Sequence, residues 1–370
     1  MTLTESVVLQ LVAHAINVDY DLDLALFKDV NWKQVYQIAK GQGVAGVALD
    51  AIEALPLNCR PPRDVLIHWI GYVCSMEKAY SFHKNAIYSL ANFYYDNGFT
   101  MMLLKGYGLS LCWPKPEHRP VGDIDIFLGK RNTHPTFGHK NVWKAGDNVI
   151  KEKLGIDVDN SHHHHSVFLY KGISVENHFD FINAYDHKSS RKIEECFKQI
   201  VRTEYCQTDT CKYIYIPSCN FNALFILKHC SGHFASTEIN IRQVLDWLLF
   251  IRKYNDSIDW KLLYSQLDAF GLTRFANILS SIGVDYLGMP VEIFYKYEND
   301  KNIVKRVLND ILSPEFSEYE TGSLLSGLWV KPRRFWKNRW KHRLCYSDSF
   351  ISGFIWTTYA KLLKPRHFRI

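Results

Sequence analysis

The 370-residue chain has no run of the roughly 18 consecutive apolar residues that a membrane-spanning helix needs, no Gly-X-Y period and no internal repeat. A helical membrane protein and a collagen-like chain are therefore excluded. Its nine cysteines are an odd number at irregular spacing, without a C-x-x-C pair, so they make neither a disulfide framework nor a zinc motif. The first fourteen residues carry no Lys or Arg and place Glu5 inside the first apolar stretch, so the basic start of a secretory leader is missing. A cytoplasmic protein with reduced thiols is expected. Net charge is also small, at +6, and with 47% apolar residues the chain is globular rather than disordered.

The charge is unevenly spread. Residues 331–370 hold eleven Lys or Arg against a single acid, Asp348, while the first 330 residues are slightly acidic. Length predicts more than one domain. Residues 1–98 read as a helical region: Ile87, Leu90, Ala91 and Tyr94 fall on one helix face, and Asp96-Asn97-Gly98 is a stop signal. Residues 99–215 read as a small mixed α/β core, with strands over Thr100–Leu104 and Ile124–Leu128 and a hairpin of Ser166–Tyr170 with Ile173–Phe181 that turns at Lys171-Gly172. Residues 133–155 are polar enough for a surface helix or an irregular insertion. The helical period returns over 216–330, where Ile241, Val244, Leu245 and Leu248 share a face, and 331–370 form a basic, aromatic tail.

Chemistry concentrates in the core. On a strand over 123–128 the period of two puts Asp123 and Asp125 on one face and Ile124 and Ile126 on the other. Two like charges held side by side call for a cation, and oxygen-only ligands favour Mg²⁺ or Mn²⁺. The bland reading is a solvent-facing edge strand whose acids do nothing. Lys105-Gly106, after a predicted strand and opening a predicted helix, offers backbone N–H groups and an ammonium to phosphate oxygens. Arg119 adds a planar donor suited to phosphate. Glu176, His178 and Asp180 share one face of a further predicted strand, which brings a third acid.

The K-G pair, P-x-x-R-P-x-G-D-I-D over 116–125 and V-E-x-H over 175–178 resemble the nucleotidyltransferase superfamily of DNA polymerase beta-like fold, most closely its uncharacterised nucleotidyltransferases of bacteria, the NTP transferase family 5 type. His229 and the R-Q-x-x-D-W segment over 242–247 extend the likeness into the C-terminal helices. The resemblance implies an α+β nucleotidyltransferase core, a small mixed sheet with helices, flanked by helical regions. It also implies transfer of a nucleoside monophosphate from an NTP, such as ATP, to an acceptor hydroxyl with release of pyrophosphate. By position, Lys105, Gly106 and Gly122 fall to phosphate binding, as Arg119 does, Asp123 and Asp125 to the metal pair, and Glu176 to the third carboxylate. One departure stands at the turn, where the usual Gly-Ser is Lys-Gly, as in abortive-infection type nucleotidyltransferase toxins.

Other features admit two readings each. Four consecutive histidines, His162 to His165, suggest a zinc or nickel site, but neighbours on a strand alternate faces and cannot all meet one metal. His165 or His178 lining the site near Glu176 is the stronger reading. Arg242 and Asp246 fit an ordinary i, i+4 pair, or contacts to base or ribose. Lys331 to Arg343 interleave seven cations with Phe335, Trp336 and Trp340, which suits nucleic acid, an anionic membrane surface, or a helix packed by its aromatics. The acceptor, a small molecule, RNA or protein, has no motif. The alternative function is a catalytically silent protein that binds RNA or an acidic partner through 331–370.

Overall fold

The computed structural model describes residues 1–132, 134–139, 141–184, 187–208, 211–315, 333–334, 336–353 and 355. They divide into two compact units. The first takes Met1–Tyr80, Ser110–Pro120 and the described part of Ile226–Cys345; the second takes Ser81–Leu109, Val121–Phe225 and the described residues from Tyr346 onward.

The first unit is helical. Helix Leu3–Ile16 begins at a capping box in which Thr2 and Glu5 exchange bonds between side chain and backbone, and it buries Val7, Val8, Leu11 and Val12. Helix Ile241–Tyr254 opens on a second capping box, Asn240 with Gln243, and buries Val244, Leu245 and Leu248 as their spacing predicts. Helices Trp32–Gly41, Ala45–Asp50, Trp260–Phe270, Thr273–Leu287 and Lys301–Leu312 belong to the same unit. Trp69, Trp247 and Phe275 are among the largest side chains in its core. Each such side chain contributes roughly 1.5–3 kcal/mol by leaving water. No described helix is long and apolar enough to cross a membrane.

The second unit is built on a seven-stranded mixed sheet. Its strands are β1 (Phe99–Leu103), β2 (Ile124–Lys130), β3 (Val158–Asp159), β4 (His165–Tyr170), β5 (Ile173–His178), β6 (Tyr205–Thr208) and β7 (Cys211–Pro217), in the order β3-β4-β5-β2-β1-β7-β6. β1 runs antiparallel to β2 and parallel to β7, and β2 runs parallel to β5. The fold is therefore α+β, with β1 and β2 interior to the sheet rather than at an edge. Ile87, Leu90, Ala91 and Tyr94 are all fully buried, so the predicted face of helix Arg63–Asp96 is the packed one.

Three local expectations change in detail. Segment 133–155 contains a regular helix, Val142–Leu154, set so close to the sheet that a Cβ on Gly146 would collide with Leu128. The hairpin turns where expected, with both Lys171 and Gly172 at positive φ, but β5 stops at His178. There the amides of Phe179 and Asp180 both donate to the His164 carbonyl, and those of Phe181 and Ile182 to the Glu194 carboxylate, so the backbone leaves the ladder. Asp180 consequently turns off the face of Glu176 and His178 and pairs with Lys198. The helix after Gly106 is only four residues long, Tyr107–Ser110.

Candidate active site

The sheet topology brings the core candidates together. Asp125 on β2 and Glu176 on β5 are register partners on adjacent parallel strands, so their side chains rise from the same face. The Leu104 amide donates to the Asp125 carbonyl, 3.2 Å, and extends the β1–β2 ladder to its last residue. Lys105, the next residue, then reaches Asp125 Oδ1 with its Nζ at 2.7 Å. Gly106 follows at φ +52°, a conformation that favours glycine, and the Gly108 amide closes the turn on the Lys105 carbonyl. Asp123 immediately precedes β2, and Gly122 accepts a hydrogen bond at its carbonyl from His83.

Histidines complete the cluster. His178 Nε2–H donates to Asp125 Oδ1 at 3.0 Å and lies 3.4 Å from Glu176 Oε2, while its Nδ1–H donates to the Asp180 carbonyl at 3.1 Å. Both ring nitrogens face acceptors, so the ring is an imidazolium. His165 Nδ1 lies 3.5 Å from Glu176 Oε2. The four-histidine run does not alternate as a strand would, because residues 162–164 form bends and β4 starts only at His165. His164 and His165 therefore approach to 4.3 Å between ring centroids, and His165 and His178 to 5.1 Å. The sequence named His164 only within the run His162 to His165 and placed His165, not His164, near Glu176.

Charge in the cluster is divided unequally. Asp123 is exposed, yet crowding by neighbouring atoms desolvates its carboxyl, and Asp125 and Glu176 raise it further, to about 6, with Lys105 opposing. Burial pushes the same way at Asp125, but Lys105 and His178 outweigh it and hold that carboxyl well below the usual range. Glu176 is likewise lowered overall, chiefly by the His178 hydrogen bond against its own burial. His178 is raised to about 9 because its bonds to Asp125 and Glu176 overcome burial. Burial lowers His165 to about 4 and lowers His164 as well, with help from neighbouring imidazoles, so both are neutral.

Behind the site, β5 is locked from its other face. Asn177 Nδ2 donates to Asp147 Oδ1 at 2.8 Å and to the Trp143 carbonyl at 3.1 Å, and Ser166 Oγ donates to the same Asp147 oxygen. This buried network fixes β5 against helix Val142–Leu154.

The remaining candidates lie in the first unit. Arg119 Nε and Nη2 bond both oxygens of Asp246, at 2.7 and 2.9 Å, and Trp113 Nε1 donates to Asp246 Oδ1. The guanidinium fork read as a phosphate donor is thus engaged with Asp246, and the carboxylate read as the i, i+4 partner of Arg242 is bound to Arg119 and Trp113. Arg242 packs on Gly43, whose φ is +68°. In the tail, Lys331, Phe335, 316–330 and 356–370 lie outside the described residues. Lys341 is buried on Asp310 and Trp340 lies under the Arg306 guanidinium, while Trp336 is 62% exposed with Arg339 over its ring.

Fold and site together define an α+β protein with Asp125 and Glu176 paired on inner strands of a mixed sheet. A family described as uncharacterised nucleotidyltransferase matches residues 28–282, most of the chain, and the protein belongs to that family. No curated protein and no solved structure matches it.

Proposed function

We propose that the protein is a metal-dependent enzyme that transfers a nucleoside monophosphate from an NTP to an acceptor hydroxyl and releases pyrophosphate. The observation that carries this reading is the convergence of Asp123, Asp125 and Glu176 beside Lys105 at the ends of β1, β2 and β5. Three carboxylates face one lysine and one imidazolium, and the cluster answers that excess by holding a proton on Asp123 up to about pH 6. Donor atoms of Asp125, Glu176 and His178 lie within 4.8 Å of one another. Asp125 and Glu176, with Asp123 two residues before Asp125 along the chain, offer the oxygen ligands that a hard divalent cation, Mg²⁺ or Mn²⁺, favours. Such an ion supplies charge neutralisation for a triphosphate and acidifies a bound hydroxyl.

The chain's own residues do the rest. Lys105, fixed by Asp125, offers a positive charge to the phosphates as negative charge builds on them, and the Gly106 turn offers backbone N–H. Glu176 takes the acceptor's proton. The freed oxygen then forms its bond to the α-phosphorus while the bond to the bridging oxygen breaks, and pyrophosphate leaves with those electrons.

The test is transfer of label from each NTP, with Mg²⁺ or Mn²⁺, into fractionated cell extract by the wild type and by Asp123→Asn. Loss of transfer in a folded Asp123→Asn variant supports the reading, and full transfer overturns it. A second reading, a catalytically silent binder of RNA, is favoured by the exposed Trp336 beside Arg339, a stacking and phosphate-binding pair. It predicts RNA binding that disappears with residues 331–370 and no binding of NTP.

A further inference from the structure

We propose that His164, His165 and His178, together with Glu176, form a binding site for a borderline divalent transition metal of the Zn²⁺ class. One ligand atom from each of the three histidines lies within 4.8 Å of the others, although the three rings come from a bend, from β4 and from β5. The chain invests in this meeting, because His165 is 5% exposed and, among the described residues, neither of its ring nitrogens makes a hydrogen bond, Glu176 standing 3.5 Å from Nδ1. A buried imidazole without a partner is costly to the fold, and a metal is the ligand that a neutral imidazole serves best. His164 Nδ1 is buried in the same unsatisfied state.

Two further details fit a metal centre. His178 bonds the Asp180 carbonyl through Nδ1, the anchoring of the distal ring nitrogen that metal-ligating histidines show, which leaves Nε2 facing the cluster. Glu176 Oε2 lies 3.5 Å from His165 and 3.4 Å from His178, so a carboxylate oxygen stands beside two of the three imidazoles of the set. That set suits Zn²⁺ in four-coordination and suits Mg²⁺ poorly, since Mg²⁺ prefers oxygen ligands and water. The site shares Glu176 with the nucleotide reading above but does not depend on nucleotide transfer.

The experiment uses the full chain, stripped by chelator, equilibrated with one equivalent of Zn²⁺ without nucleotide and dialysed. Metal content and zinc X-ray absorption are then measured for the wild type, His165→Gln, His164→Gln and Asp123→Asn, with circular dichroism as the fold control. We expect one bound zinc with at least two imidazoles in its shell at about 2.0–2.1 Å. Asp123→Asn should retain it, and at least one histidine variant should lose affinity by tenfold or more, as even outer-shell changes cost 10–100-fold. Absence of retained zinc, an oxygen-only shell, or a loss below tenfold in both histidine variants overturns the proposal. If neither histidine variant folds, the shell of the wild type decides alone. Zinc binding intact beside failed NTP transfer would refute the nucleotide reading alone, and the reverse outcome the metal site alone.

Discussion

Lys105 Nζ lies 2.7 Å from Asp125 Oδ1, so the lysine two residues past β1 is the counter-ion of the Asp125 carboxylate. Lys105→Met removes that charge and leaves three carboxylates facing His178. Breaking a buried pair from one side costs about 3–5 kcal/mol, and the partial exposure of Lys105 places the loss near the lower end. Urea unfolding with and without MnCl₂ reads it out: the variant should be less stable without metal and should gain more from Mn²⁺ than the wild type. Equal stability of the two proteins would contradict a counter-ion role.

The pair of Arg119 with Asp246 is bidentate, buried and assisted by Trp113, which makes its geometry the property to test. Arg119→Lys keeps the charge but loses the planar fork, leaving one carboxylate oxygen short of a donor. A stability loss of about 1–3 kcal/mol is expected by chemical denaturation. Nucleotide affinity in the folded variant measures separately the phosphate contact that the sequence suggests. No loss of stability would show that the pair does not support the helical unit.

These two pairs show what was legible in the sequence. Asp125 and Lys105 lie close along the chain, and strand period with turn chemistry is enough to bring them together, whereas Asp123 falls just before β2 rather than on it. Glu176 was legible because the Lys171-Gly172 turn fixes the register of its hairpin. Pairing across 127 residues, as between Arg119 and Asp246, has no local signature, so a guanidinium that reads as a phosphate donor is found on a carboxylate. The approach of His164 to His165 was hidden for a different reason: alternation assumes a strand, and three bends before β4 break that assumption. The burial of Asp125 was equally illegible, because it follows from β2 lying between β1 and β5 rather than at an edge.

Asn177 stands between Glu176 and His178 in sequence but points to the opposite face, where it holds Asp147 and the Trp143 carbonyl. Asn177→Ala leaves the buried Asp147 carboxylate with the Ser166 hydroxyl and without its amide donor. The expected cost is about 1–3 kcal/mol in unfolding experiments, with a fall in NTP transfer because the anchor of β5 is lost. Asn177→Ser, short of the helix but still polar, should recover less than half of either. Full transfer in Asn177→Ala would show that the network does not position Glu176.

Glu194 predicts the pH dependence of stability. Its carboxylate accepts from the Phe181 and Ile182 amides where β5 ends, and burial, aided by the Asp180 charge, pushes it up to about 7 from an ordinary 4.5. Between those values the folded chain holds a proton that the unfolded chain has released. The contribution of Glu194 is therefore fully present below about pH 4.5 and is lost as pH rises through about 7. Its total is on the order of 3 kcal/mol, from about 1.4 kcal/mol for each pH unit of displacement. Glu194→Gln keeps an acceptor for both amides and cannot ionise, so its stability relative to the wild type should climb from pH 5 to about pH 7 and level off by pH 8. Urea midpoints of the two proteins at pH 5, 6, 7 and 8 give the comparison, and a constant difference across that range would rule out a raised Glu194.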